Sequence, residues 1–259
     1  MVSSMRVEVY LMDSNTSAWS EYAEEYNQNT TFSAQKIHSG LGLAGFAPLD
    51  IVKTSQSILD VGCGNGLNTF LFSEQTDGEV IGIDPVESQI QIARNKFMRS
   101  NLVFLCCEFQ NLPKYITGSY DLITFFGSLD YIRINELFFG VLDYVAHIGS
   151  RCFISKFHPF WTTLYGNDVG ETLGNSYFES GHEDIVQFGS SKFIRYHYTL
   201  SDFITHFTSH GWSLREFAEP KPALECSAFA YKNYEYDPIL QQRMSKIPMT
   251  ALFEFIKET

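Results

Sequence analysis

Asp60-Val61-Gly62-Cys63-Gly64-Asn65-Gly66 is the stretch on which the reading of this chain turns. It follows a short apolar run, Ser57–Val61 (SILDV), and leads into a helical pattern over Leu67–Ser73. Glycines between a strand and a helix let the backbone turn tightly and approach a ligand closely, while the helix start aims unpaired N–H groups at whatever lies above it. The next strand, Glu79–Asp84 (EVIGID), ends in a carboxylate and is closed by Pro85. At that place a carboxylate can accept both hydroxyls of an adenosine ribose.

Outward from this turn, strand and helix patterns alternate. A helix presents Val86, Ile90, Ala93 and Phe97 on one face, and Leu102–Cys107 and Tyr120–Phe126 read as further strands. An amphipathic helix follows with Ile134, Leu137, Phe138, Val141, Leu142, Val145 and Ile148 in register, then a strand at Arg151–Phe157. Such alternation predicts an α/β fold of right-handed βαβ units, a mostly parallel sheet with helices on both faces. From Pro159 to Ile194 the pattern breaks; Gly166, Gly170, Gly174, Gly181 and Gly189 punctuate an aromatic, irregular segment, and a long irregular segment in a compact domain is usually functional. Residues 160–195 are therefore expected to form a lid. Order returns with a helix at Leu200–His210, a strand at Ser213–Glu219 and a last strand at Thr250–Lys257. At the other end, residues 1–50 read as a helical cap. Ser17 is placed to start a helix carrying Trp19, Tyr22, Ala23 and Tyr26 on one face, and the glycine-rich run before Pro48 suggests a bend.

Two cofactors use a glycine turn with a downstream carboxylate. The dinucleotide fingerprint G-x-G-x-x-G needs a third glycine where this chain has Leu67, counting from Gly62, or Thr69, counting from Gly64. Asp60 beside the turn would also repel a pyrophosphate. It suits S-adenosylmethionine (SAM), whose methionine end carries an ammonium group. The run D-x-G-x-G-x-G resembles motif I of the class I SAM-dependent methyltransferases.

Other positions extend the likeness. Glu108-Phe109, shortly before Leu112-Pro113, stand where the family has Asp-Ala: the acidic side chain meets the adenine amino group and the next N–H meets the ring. Here Glu lengthens the carboxylate's reach, and Phe puts a ring where a small residue leaves room. Phe126–Leu129 correspond to the segment flanking the methyl donor, and their Phe-Gly-Ser-Leu is unlike the Asn/Asp-Pro-Pro-Tyr of adenine and glutamine N-methyltransferases. Phe157-His158-Pro159, the run Tyr196–Phe203, Gly211-Trp212 and Glu219-Pro220 resemble a small-molecule subgroup. The resemblance implies a Rossmann-like three-layer α/β/α sandwich with a seven-stranded sheet, its last strand antiparallel and inserted beside the fifth. It further implies one domain over 1–259, with a cofactor-binding core at 57–158 and a C-terminal part of the sheet at 196–259.

On this reading SAM is the cofactor and S-adenosylhomocysteine the product. Its site is expected to comprise Asp60, Gly62, Cys63, Gly64, Asn65, Gly66, Asp84, Pro85, Glu108, Phe109 and Phe126, with Tyr22 and Tyr26 from the cap. Because the sulfonium is already a strong electrophile, the protein's task is to align a nucleophile and exclude water. Candidates to face the methyl group are Asp130 and Tyr131 after the fourth strand, His158 after the fifth and His197 before the late helix. His158 is the first choice for a base, since an imidazole takes protons near neutral pH.

Composition narrows the partners. Eighteen basic against thirty acidic residues give a charge of −12, with no Lys/Arg cluster to replace phosphate counterions, so nucleic acid and anionic membrane are not expected partners. The five cysteines form no C-x-x-C pair and no His completes a zinc site, so no metal is expected. No secretory signal or long apolar stretch is present, which points to the cytoplasm. The expected acceptor is a small molecule, methylated at oxygen or nitrogen. A SAM-binding module without catalysis, its pocket plugged by Phe109, Phe125 or Phe126, stays open, as do aminopropyl transfer and protein methylation.

Overall fold

Both faces of most strands in the sheet are apolar, as burial between two helical layers requires. In the computed structural model, which describes residues 2–29, 37–39, 49–164, 176–221, 242 and 245–259, α1 (Val2–Asn29) and α2 (Leu49–Thr54) precede the sheet. There follow β1 (Ser57–Val61), α3 (Leu67–Ser73), β2 (Glu79–Asp84), α4 (Glu87–Lys96), β3 (Leu102–Cys106), β4 (Leu122–Phe126), α5 (Glu136–Tyr144) and β5 (Arg151–Phe157). Then come α6 (Pro159–Leu164), β6 (Glu183–Phe188), β7 (Ser191–Tyr196), α7 (Leu200–Ser209), β8 (Trp212–Ala218) and β9 (Thr250–Lys257).

Seven strands form one sheet in the order β3-β2-β1-β4-β5-β9-β8. β1 to β5 are parallel, and β9 runs antiparallel between β5 and β8. This is the Rossmann-like sheet expected. β1 pairs with β2 on one side and β4 on the other, so the chain reverses its direction of growth there. Ligands of open α/β sheets bind beyond the strand ends at such a switch point. The glycine turn after β1 and residues 127–131 after β4 both lie at it.

The phenylalanines go chiefly into packing. Phe203, Phe207, Phe253 and Phe255 are buried on one face with Trp212, Phe207 stacking on Phe255 at 4.4 Å. Phe72 and Phe153 are buried on the other face with Leu122 and Leu252. Helix ends follow their caps: the Asn135 side chain accepts from the Phe138 N–H at 3.0 Å, and the Thr199 hydroxyl accepts from the Asp202 N–H at 3.1 Å. The α5 pattern read as far as Ile148 stops at Tyr144, because the chain turns toward Gly149 (φ 94°) and leaves Ile148 exposed.

Two expectations need correction. Ser17 lies inside α1, not at its start; beside it Asn15 and Thr16 bond Ile194 and Glu108, tertiary contacts that override propensity. The stretch from Pro159 to Ile194 is not wholly irregular, since it holds α6 and the antiparallel hairpin β6–β7. Gly189 (φ 57°), read as loop punctuation, is the hairpin's turn. Gly166, Gly170 and Gly174 lie outside the described residues, as do the glycine-rich run before Pro48 and most of the connection between β8 and β9. Among the described residues, no helix is long and apolar enough to cross a membrane.

Candidate active site

The glycine turn is stitched to its neighbours before any ligand is considered. The N–H groups of Gly62 and Cys63 both donate to the Ile83 carbonyl of β2, at 2.8 and 2.9 Å. Gly62 has φ 75°, and a Cβ there would stand 2.2 Å from Cβ of Ser128, whose hydroxyl donates to the Val61 carbonyl at 2.5 Å. Only glycine lets the two strand-end loops meet this closely. Around a Cβ built on Gly64 nothing lies within 4 Å, so this part of the turn fronts open space.

Two buried carboxylates brace the turn. Asp84 accepts from the N–H of Gly64 through Oδ2 and from the N–H of Val86 through Oδ1, each at 2.9 Å. Asp60 accepts from the hydroxyls of Thr124 at 2.8 Å and Thr69 at 2.6 Å. Burial pushes both carboxyls up from 3.8 to about 6, against the lowering effect of these hydrogen bonds. At neutral pH both are ionised, and neither has a salt-bridge partner among the described residues. Such a site favours a cationic ligand.

Above the turn opens a cleft of about 320 Å³. Its wall includes Asp60, Gly62, Cys63, Gly64, Asn65, Asp84 and Pro85, continued by Glu108, Phe109 and Phe126. Helix α1 closes one side with Thr16, Trp19 and Tyr26. Thr16 donates to Glu108 Oε1 at 3.2 Å, and Asn65 donates to Asn27 Oδ1 at 2.9 Å. The suspected plugs are engaged elsewhere: Phe109 packs on Phe125 and Phe138 at 5.5 and 5.4 Å, and Phe126 on Phe72 and Phe153. Burial pushes the Cys63 thiol well above its usual range, so it remains protonated.

The far side of the cleft is aromatic with one ion pair set into it. Tyr131 meets Trp19 edge-on at 5.1 Å, and burial raises its phenol well above the ordinary value. Asp130 and Lys156, with side chains 1% and 4% exposed, pair at 3.1 Å. The Phe157 N–H donates to the second Asp130 oxygen at 2.9 Å. Asn15 ties α1 to the hairpin, donating to the Ile194 carbonyl at 2.9 Å and accepting from the Ile194 N–H at 2.7 Å.

This geometry has known counterparts. A family model described as a methyltransferase domain matches residues 53–178. A methyltransferase-named protein of Invertebrate iridescent virus 6 is 28% identical over 126 residues, covering 48% of this chain and 46% of its own length. The malonyl-[acyl-carrier protein] O-methyltransferase of Acetivibrio thermocellus is 35% identical over 72 residues, 27% of this chain and 25% of that one. The chain thus spans less than half the length of these curated relatives. Among solved structures, a Listeria monocytogenes protein described as a S-adenosylmethionine-dependent methyltransferase superposes with a TM-score of 0.64. It is 21% identical over 79% of this chain and 92% of that one, a likeness of fold.

Four of the expected site residues do not line the cleft. Gly66 (φ 82°) starts α3, and a Cβ there would come within 2.7 Å of Ala93 and the Phe104 ring; it serves helix packing. Tyr22 is buried between Phe188 and Phe193. His158 takes the Phe160 N–H on Nδ1 at 3.1 Å, which leaves its proton on Nε2, directed to Glu219 at 2.7 Å. Desolvation lowers its pKa, against the pull of Glu219. His197 lies between Thr162 (3.3 Å) and the Tyr177 carbonyl (2.9 Å), its pKa likewise lowered by desolvation.

Lys156, Asn15 and His38 are among the cleft residues that escape sequence reasoning. Lys156 is a second charge in β5, set in its buried stretch beyond Arg151 at the strand's start, and that is the one signal that marks it. Asn15 precedes the aromatic face read for α1. His38 lines the cleft because Asn68 pins its backbone, accepting from its N–H at 2.9 Å and donating to its carbonyl at 2.8 Å.

Proposed function

We propose that this chain transfers a methyl group from SAM to an oxygen or nitrogen of a small molecule, with S-adenosylhomocysteine as product. The observation that carries this reading is the pair of buried carboxyl groups, Asp60 and Asp84, flanking a glycine turn at the mouth of an open cleft. When bound, SAM supplies an electrophilic methyl group on a sulfonium. Asp84 stands where it would take the ribose hydroxyls, Asp60 beside the ammonium end and Glu108 beside the adenine amino group. Gly64 leaves room for the ligand to approach the backbone. Trp19, Tyr26 and Tyr131 exclude water from the reacting end, and holding two reactants in line contributes about 7–11 kcal/mol to such a reaction.

The chain works as one domain, with α1 and the β6–β7 hairpin covering the acceptor. Methylation at oxygen is favoured by the name of the Acetivibrio relative. A binding module without catalysis is disfavoured because Phe125 packs into the core, while Phe109 and Phe126 form part of the cleft wall and leave the cleft open. Calorimetry tests the site: wild-type protein binds SAM, and Asp84→Ala loses at least about two orders of magnitude in affinity, as removal of a charged hydrogen-bonding group in a closed site does. Undiminished affinity in that variant overturns the assignment. Incubation with SAM and a panel of phenols, amines and acids, read by mass spectrometry for the gain of one CH₂, tests the activity.

A further inference from the structure

The Asp130–Lys156 pair is unusual for its place. A buried ion pair is seldom more stabilising than an apolar pair of the same shape, because both ions lose their hydration. This one lies in the wall of the cleft, beyond β4 and at the end of β5, among aromatic side chains. Of the three ammonium hydrogens of Lys156, one is directed to Asp130 Oδ1 at 3.1 Å and one to the Phe157 carbonyl at 3.2 Å. The Phe203 ring lies 5.5 Å away on another side. The third hydrogen meets no hydrogen-bond acceptor among the described residues. A second cation, Arg133, joins the same wall, pairing with Glu183 at 2.8 Å and lying over the Tyr196 ring at 5.5 Å. Each cation is matched by one carboxylate, so what this part of the cleft offers an anion is the third ammonium hydrogen of Lys156.

The groups that could deprotonate an acceptor point the same way. His158 and His197 face other parts of the fold, Asp130 is held by Lys156, and the Tyr131 phenol is pushed up by burial. His38 alone among the histidines of the described residues lines the cleft. An acceptor that arrives already ionised needs no base. Resting on the methyl-transfer reading above, we propose that the acceptor is an organic acid with an aromatic or apolar body, its carboxylate held by Lys156 and methylated to an ester. A carboxylate lone pair forms the O–CH₃ bond as the C–S bond breaks with its electrons passing to sulfur. One anion and one sulfonium become two uncharged groups, and no proton moves. Asp130 is a positioning residue, fixing Lys156 through one oxygen and the Phe157 N–H through the other.

The test uses the whole chain, SAM labelled in its methyl group, and benzoate, phenylacetate, cinnamate and octanoate beside phenols and amines of matching body. Methyl esters release volatile labelled methanol in alkali, whereas ethers and methylamines do not. Label from the acids alone, released by alkali, at a rate independent of pH between about 7 and 9, is the expected result. The Asp130→Asn/Lys156→Gln double variant keeps an acceptor for the Phe157 N–H and strands no charge. It should raise KM for the acid about 10–100-fold, the value of a hydrogen bond to a charged group, with SAM affinity unchanged within about twofold. Lys156→Arg should keep most of the acid affinity. Alkali-stable label on phenols or amines, a rate that rises with pH and is lost in His38→Ala, or an unaltered KM in the double variant overturns the proposal. SAM binding with no acid methylated sinks this inference alone, whereas a wild-type protein that does not bind SAM sinks the methyl-transfer reading as well.

Discussion

The two sides of the cleft are built in different ways. The side that faces the cofactor is one local loop, Asp60 to Gly66, braced by two carboxylates at the ends of neighbouring strands. The far side is gathered from distant parts of the chain: Asn15 bonds Ile194 across 179 residues, and Lys156 bonds Asp130 from the next strand. The first side is determined by backbone conformation and can be recognised from residue types at fixed spacing. The second is determined by side-chain contacts that exist only once the fold is complete. Cofactor binding and acceptor binding should therefore fail separately.

Gly62→Val strikes the local side hardest. The added carbons collide with Ser128 at a backbone conformation that branched side chains avoid, so SAM affinity should fall more than about 100-fold in calorimetry and stability by about 1–3 kcal/mol in denaturant unfolding. Equal SAM binding in this variant would break the contrast.

Asp60→Asn should move stability and binding in opposite directions. The carboxyls of Asp60 and Asp84 lie at about 6 in the fold against 3.8 in a free chain, so the folded state holds protons more tightly than the unfolded one. Their contribution is most favourable below about pH 4 and is lost as pH rises through about 6. Above that pH, the ligand-free Asp60→Asn variant should be more stable than wild type by up to about 3 kcal/mol while binding SAM more weakly. In wild type, SAM binding near pH 6 should release protons, seen as a buffer-dependent heat in calorimetry. Binding without proton release would contradict the assignment of these carboxylates to the cation.

Asn15→Ala sharpens the other half of the comparison. Its loss leaves the Ile194 N–H and carbonyl without their side-chain partner and loosens α1 from the hairpin. KM for the acceptor should rise about 10-fold, with SAM affinity within about twofold. A parallel loss of SAM affinity would show that the two sides act as one.

His158→Ala should matter least for chemistry. With its ring turned to Phe160 and Glu219, the variant should keep kcat within about threefold of wild type, while the melting temperature drops for want of the Phe160 partner. A loss of kcat of about 100-fold or more, the scale of a general base, would restore the histidine to the reaction.

These cases also show where sequence reading ends. Alternating strands and helices led to the sheet, and the spacing from Asp60 to Asp84 led to the turn, because both are local patterns with one physical outcome. The likeness beyond β5 led to β9's antiparallel insertion. His158 and His197 were placed correctly at the ends of elements, but chain position does not say which way a ring turns, and nearby N–H and carbonyl groups claimed both. The hairpin was hidden because Gly181 and Gly189 serve a turn as readily as a loop. Lys156 was legible only as an oddity, a charge near the buried end of RCFISKF, whose meaning depends on Asp130 lying opposite. His38 owes its place to the side chain of Asn68, 30 residues away, and nothing in its own surroundings announces that.

The position of β9 bears on how the protein is made. Ribosomes deliver β5 and β8 before residues 250–257, yet those residues lie between them. Until they emerge, two strands of the nascent chain each carry a bare hydrogen-bonding edge, a surface on which strands of other chains can add. Yield in the cell should thus depend on how long translation pauses between β8 and β9, and on whether a chaperone shields those edges meanwhile.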